Sequence, residues 1–121
     1  MNESAEQQLL VDWFRAKFPM ELIFAIPNGG MRDKSIGKQM KLEGVVPGVP
    51  DLFIPDRLLF IEMKSAIGKK GRVSAAQRGV IEHINANTPC RAVVCYGFEQ
   101  AKGAVMDWRS IRNMRTPPKP F

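Results

Sequence analysis

Two short apolar runs separated by a turn signal constrain this chain more than anything else in it. They are Asp51-Leu52-Phe53-Ile54 and Leu58-Leu59-Phe60-Ile61-Glu62-Met63-Lys64. Pro55-Asp56-Arg57-Leu58 reads as the turn, with Pro presetting the backbone and Asp56 able to bond its own backbone. A β-hairpin follows, and pairing Ile54 with Leu59 carries Asp51 opposite Glu62. Opposed residues of an antiparallel pair hold their Cβ atoms about 4.5–5.5 Å apart. Side chains alternate along a strand, so Lys64 shares the face of Glu62. Acids are depleted from strands and lysine is rarely buried, so this placement calls for a chemical reason. Two carboxylates so close repel unless a cation lies between them, and hard ions such as Mg²⁺ prefer oxygen ligands. Metal-dependent phosphodiester cleavage uses such a set. Pro55-Asp56 repeats the Pro-Asp pair, but Asp56 falls in the turn, at the far end of the hairpin from Glu62. The bland alternative is an exposed hairpin end where Glu62 and Lys64 form a solvated ion pair.

The chain has 121 residues, which suits a single domain with one core. Residues 1–115 are assigned to that domain and 116–121, Thr116-Pro117-Pro118-Lys119-Pro120-Phe121, to an extended Pro-rich tail. A net charge of +6 and a pI near 9.7 favour an anionic partner such as nucleic acid. Neither a membrane span nor a signal peptide is expected, because no long apolar run or charged-then-apolar leader is present. Cys90 and Cys95 lack metal-ligand spacing and are expected to be reduced and buried, in a cytoplasmic protein.

Along the chain, Ser4 to Phe18 predicts an amphipathic helix with Ser4 and Gln7 as a capping box. Its apolar stripe is Leu9, Leu10, Trp13 and Phe14. Glu6 falls on that stripe, where an acid is unexpected; its simplest role is to favour the positive end of the helix. Leu22 to Ile26 predicts a strand, stopped by Pro27-Asn28-Gly29-Gly30. Met31 to Glu43 reads as either a short helix or a basic loop. The lead-in Gly44-Val45-Val46-Pro47-Gly48-Val49-Pro50 has glycines that permit close backbone approach. Ser74 to Asn85 predicts a helix with Ser74 and Gln77 as a capping box, Gln77 lying on the face of Val80, Ile81 and Ile84. Arg91 to Tyr96 predicts a strand, and Phe98–Lys102 and Asp107–Met114 two short helices. His83 reads as a helix-edge residue. The expected class is α/β, with helices flanking a small mixed sheet.

This order, with Pro-Asp opening the second strand and Glu-x-Lys closing the third, resembles the restriction-endonuclease-like PD-(D/E)xK nucleases. Gly48-Val49-Pro50-Asp51-Leu52, Phe60-Ile61-Glu62-Met63-Lys64 and Ser74-Ala75-Ala76-Gln77 are similar to the VRR-NUC branch, whose small stand-alone members are common in bacteriophages. The likeness spans about Glu3 to Tyr96. It implies a restriction-endonuclease-like core in αβββαβ order. It also implies that Asp51, Glu62 and the backbone carbonyl of Met63 bind Mg²⁺ or Mn²⁺, with Lys64 catalytic. Glu6 and Gln77 match the family's accessory site positions. The implied activity is structure-selective DNA cleavage, including Holliday-junction resolution, by a homodimer in a bacterial or phage-infected cell. Cleavage of flap, nicked or single-stranded DNA, or a catalytically weak DNA-binding accessory role, are the alternatives. Lys69, Lys70 and Arg72, with Arg32, Lys34, Lys38 and Lys41, are the expected phosphate contacts, against the simpler reading of solvated charge. No aromatic-interleaved basic patch suggests base stacking.

Overall fold

The computed structural model describes residues 2–27, 34–67 and 71–113, and the side chains of all of these except 34–36. The elements are α1 (Glu3–Lys17), β1 (Phe24–Ala25), α2 (Lys34–Leu42), β2 (Leu52–Ile54), a 3₁₀ turn (Pro55–Arg57), β3 (Leu59–Lys64), α3 (Ala75–Asn87), β4 (Arg91–Tyr96), α4 (Phe98–Met106) and α5 (Trp108–Asn113). The class is mixed α/β. Strand order in the sheet is β1-β2-β3-β4, antiparallel across the first two pairs and parallel between β3 and β4. A parallel pair needs a crossover, and α3 supplies it.

Register divides the sheet into two chemically different faces. Leu52 pairs with Ile61 and Ile54 with Leu59, so these four side chains share one face. With Met63 and Cys95 they form the core against Leu10 and Phe14 of α1 and Ala101 and Val105 of α4. On the opposite face Phe24 pairs with Phe53 and Phe53 with Phe60. Continuing that register by one step sets Asp51 against Glu62, as the hairpin reading expects.

Helix α1 starts earlier than its sequence suggests. Asn2, not Ser4, is the N-cap, and its side-chain oxygen accepts from the Ala5 N–H at 2.8 Å. Glu3 thereby joins the first turn. The buried line runs Glu6, Leu10, Phe14, and Leu9 lies off it at 40% exposed. Val11 and Trp13 pack at the edge of the core. Pro19, just beyond the C-cap Phe18, disfavours further helix.

The hairpin turn is fastened at the far end of the sheet from Glu62. Leu58 takes the left-handed conformation (φ 51°) that closes the 3₁₀ turn. Arg57 is buried and donates to both Glu21 carboxylate oxygens at 2.8 Å and to the Val105 carbonyl at 2.8 Å. Its guanidinium lies 4.2 Å from the Phe18 ring centroid. The Arg57 hydrogen bonds hold the Glu21 carboxyl below its ordinary range. Asp56 does not bond its own backbone; its Oδ1 accepts from the Leu22 N–H at 2.8 Å and ties the turn to the approach of β1.

Other expectations need adjustment. β1 is only Phe24–Ala25, although Ile26 N–H still donates to the Asp51 carbonyl at 2.8 Å before Pro27. The basic segment after β1 is helical from Lys34 to Leu42. α3 runs on to Asn87 and α4 to Met106, while α5 is the expected short helix. Cys95 is buried and Cys90 only half-buried, both as free thiols. Burial pushes the Cys95 thiol up to about 12. The Pro-rich tail lies outside the described residues. Among those residues no helix is long and apolar enough to cross a membrane.

If α1 is held by the Leu10–Phe14 line, Phe14→Ala should cost about 3–5 kcal/mol in chemical denaturation. Leu9→Ala should cost about 1 kcal/mol or less. Equal costs would place the buried face of α1 elsewhere.

Candidate metal centre

The hairpin delivers two carboxylates to the face opposite the core, and α1 brings a third. One carboxylate oxygen from each of Glu3, Asp51 and Glu62 lies within 4.8 Å of the others. Glu3 is exposed, Asp51 half-buried, and Glu62 only 2% exposed. Lys64 is 8% exposed, so Glu62 and Lys64 are not the solvated pair of the bland reading.

Each group is held by identifiable partners. The Met63 amide N–H donates to Asp51 Oδ2 at 2.8 Å, across the continued register of β2 and β3. The Met63 side chain points into the core. Glu62 Oε2 accepts from Gln77 Nε2 at 2.9 Å and lies 3.5 Å from Lys64 Nζ. Glu62 Oε1 is fully buried and accepts from no donor among the described residues. A buried carboxylate oxygen left this way costs on the order of 1–3 kcal/mol or more, which makes it an exception requiring a reason.

Gln77 is placed by the capping box of α3, present as expected. Ser74 Oγ accepts from the Gln77 N–H at 3.1 Å, and Gln77 Oε1 accepts from the Ser74 N–H at 2.9 Å. Lys64 Nζ donates to the same Oε1 at 3.1 Å. With two donors on its oxygen, the amide must turn its nitrogen toward Glu62. The start of α3 comes close because position 48 is glycine. A Cβ there would sit 2.4 Å from the Ala76 carbonyl oxygen, at a φ of +94°.

Electrostatics match a site short of positive charge. Burial, then the neighbouring Asp51, raises the Glu62 carboxyl to about 7, against the opposing pull of Lys64. Burial is also the main cause of upward shifts at Asp51 and Glu3, with the Asp51 charge adding to the latter. A divalent cation would reverse these shifts and give Glu62 Oε1 a partner, so the donor set fits a hard metal ion.

Glu6 is buried as its position on the stripe predicts, but both its oxygens are taken by backbone. Oε2 accepts from the Ala66 N–H at 3.0 Å and Oε1 from the Phe98 N–H at 3.0 Å. Those hydrogen bonds hold its carboxyl below the ordinary range. Glu6 is in effect the N-cap of α4, whose own cap residue, Gly97, has no side chain to offer. A Cβ at Gly97 would lie 2.9 Å from Glu6 Oε1, at a φ of +92°. The α1 carboxylate that reaches the acidic group is Glu3, one turn earlier. The signal for it is the spacing of three from Glu6, which puts both acids on neighbouring parts of one face.

Of the expected phosphate contacts, Lys38 and Lys41 are exposed on α2 and Arg72 is exposed before α3. Lys34 opens α2. Arg32, Lys69 and Lys70 lie outside the described residues. Asp56 is in the turn and takes no part in the acidic group. His83 is half-buried, with Nδ1 3.0 Å from Asn87 Nδ2. Compared with models of known families, with curated proteins and with solved structures, the chain matches none.

The raised Glu62 carboxyl fixes a sign for pH dependence. Below the unfolded value of 4.5 the proton is bound in both states, and between there and about 7 the folded state alone retains it. In EDTA, stability from this group should therefore fall as pH rises through that window, by on the order of 1–3 kcal/mol. Glu62→Gln should flatten this part of a denaturation–pH profile; an unchanged slope would remove Glu62 as its source. The two α1 acids should also separate. Glu6→Gln should lower the melting temperature, at a cost of about 1–3 kcal/mol. Glu3→Gln should leave the melting temperature nearly unchanged and weaken Mn²⁺ binding in calorimetry.

Proposed function

We propose that this protein is a metal-dependent, structure-selective DNA endonuclease with a restriction-endonuclease-like core of the VRR-NUC kind. The observation that carries this reading is a buried Glu62 carboxylate, grouped with those of Asp51 and Glu3, whose Oε1 has no hydrogen-bond donor among the described residues, with Lys64 and Gln77 fixed beside it. Asp51 and Glu62 would hold Mg²⁺ or Mn²⁺, with the Met63 backbone carbonyl as a further ligand and Glu3 at the open side. When bound, the ion would supply charge neutralisation at the phosphate and a more acidic water.

The chain's own groups account for the rest. Gln77 and the burial of the strand hold Glu62 in place. Lys64, fixed by Gln77 Oε1, keeps a positive charge where the phosphorus centre gains negative charge. Lys38, Lys41 and Arg72 can bind the DNA backbone without reading sequence. Hydrolysis joins a water oxygen to phosphorus and breaks the P–O3′ bond, giving a 5′-phosphate and a 3′-hydroxyl. The water proton passes through solvent to the leaving oxygen. A C2 dimer would place two such centres symmetrically, as paired cuts at a four-way junction require.

Labelled four-way junction, flap, duplex and single-stranded DNA, each with EDTA, Mg²⁺ or Mn²⁺, test the proposal. Cleavage should need the metal and vanish in Asp51→Ala. Lys64→Ala should lose about 10²–10³-fold in rate while still binding DNA. Binding without cleavage in either metal, or equal cutting by Lys64→Ala, would refute the reading.

A further inference from the structure

Three phenylalanines that are distant in sequence meet on the face that carries the acidic group. The strand register sets Phe24 opposite Phe53 and Phe53 opposite Phe60. Phe53 and Phe60 stack with centroids 4.1 Å apart and planes at 28°, and Phe24 meets Phe53 edge-on at 5.9 Å. The core lies on the other side of the sheet, built from Leu52, Ile54, Leu59 and Ile61. Phe24, on the edge strand, is 39% exposed, and Phe53 and Phe60 are half-buried. A contiguous patch of apolar rings open to solvent marks an interaction or ligand site more than scattered single side chains do.

Position relative to the acids gives the ladder its meaning. Phe53 is two residues from Asp51 on one strand, and Phe60 two residues from Glu62 on the next. Two residues along a strand span about 7 Å, comparable with the distance between a phosphate and its own base. A strand whose phosphate lies at the acids can therefore set a neighbouring base on the rings. A base inside a continuous duplex has both faces occupied by its stack, so an unpaired base is free to do this and an internal paired one is not. The net charge of +6 suits a polyanion as the occupant.

We propose that Phe24, Phe53 and Phe60 form a stacking platform for an unpaired nucleobase adjoining the scissile phosphate. The substrate class is then DNA with a single-stranded or splayed segment at the cut, in preference to continuous duplex. This rests on the nuclease reading for its phosphate position and extends it to substrate choice. The sequence shows no aromatic patch because the rings are brought together only by strand pairing.

Fluorescence anisotropy in EDTA, where no cutting occurs, tests this apart from catalysis. The probes are an oligodeoxythymidine, an abasic oligomer of the same length and charge, and a fully paired duplex. The protein should bind oligodeoxythymidine about 5- to 150-fold more tightly than the abasic strand, the range for one stacked base. Phe24→Leu should shrink that ratio several-fold with the abasic affinity unchanged, and Phe24→Tyr, which keeps a ring, should restore it. A ratio near one in the parent protein, or equal losses on both strands in Phe24→Leu, would overturn the platform. So would a Phe24→Leu shift in sedimentation from dimer to monomer, since the rings would then cover a second copy of the chain. Metal-dependent cleavage without base preference would remove the platform and leave the nuclease. Base preference without cleavage would remove the nuclease reading instead.

Discussion

The antiparallel register of β2 and β3 is the constraint on which the rest of this molecule depends. Because Leu52 meets Ile61 and Ile54 meets Leu59, one face of the hairpin is wholly apolar and closes the core against α1 and α4. The same register sends Asp51, Glu62 and Lys64 to the other face. A slip of one residue would exchange the two sets, burying acids in the core and exposing leucine and isoleucine. Such a slip is strongly disfavoured, so the acidic face is fixed by the same apolar contacts that stabilise the fold. Arg57 secures the register from the far end, by hydrogen bonds to Glu21 and to α4.

Against that rigid frame, the acidic group is the least favourable part of the structure. Glu62 is almost fully buried, faces another carboxylate, and has one oxygen without a hydrogen-bond donor among the described residues. Lys64 and Gln77 answer part of this through Oε2, yet burial and the Asp51 charge still push the Glu62 carboxyl upward. Strain of this kind survives where the surroundings impose it, and it concentrates at working sites. The α3 capping box deepens the imposition. It stabilises the helix start and at the same time orients the Gln77 amide toward Glu62.

Much of this was legible in the chain. Strand alternation and the Pro55 turn define the hairpin and place Asp51 opposite Glu62, because both are local signals. Gln77 is marked by lying on an apolar helix face and by the Ser74 capping box. Glu6 is marked in the same way, yet its partners, the amides of Ala66 and Phe98, lie 60 and 92 residues along the chain. No local pattern announces a closure that long. Glu3 lay outside the helix expected from Ser4, and it joins the first turn because the true cap, Asn2, sits two residues before the expected one. The Phe24–Phe53–Phe60 ladder needed three strands in register before it existed at all. Leu9 shows the limit of a helical stripe, since one adjacent position is enough to turn a leucine to solvent.

The central claim is that Glu62 and Asp51 form a seat for a divalent cation. A crystal grown with Mn²⁺, examined by anomalous scattering at the manganese edge, tests it without reference to any substrate. The account requires one strong peak between the Asp51 and Glu62 carboxylates, touching Glu62 Oε1, and its disappearance in Asp51→Ala. Density that shows Glu62 Oε1 bonded to an ordered water or a protein donor, with manganese absent or bound elsewhere, would contradict it.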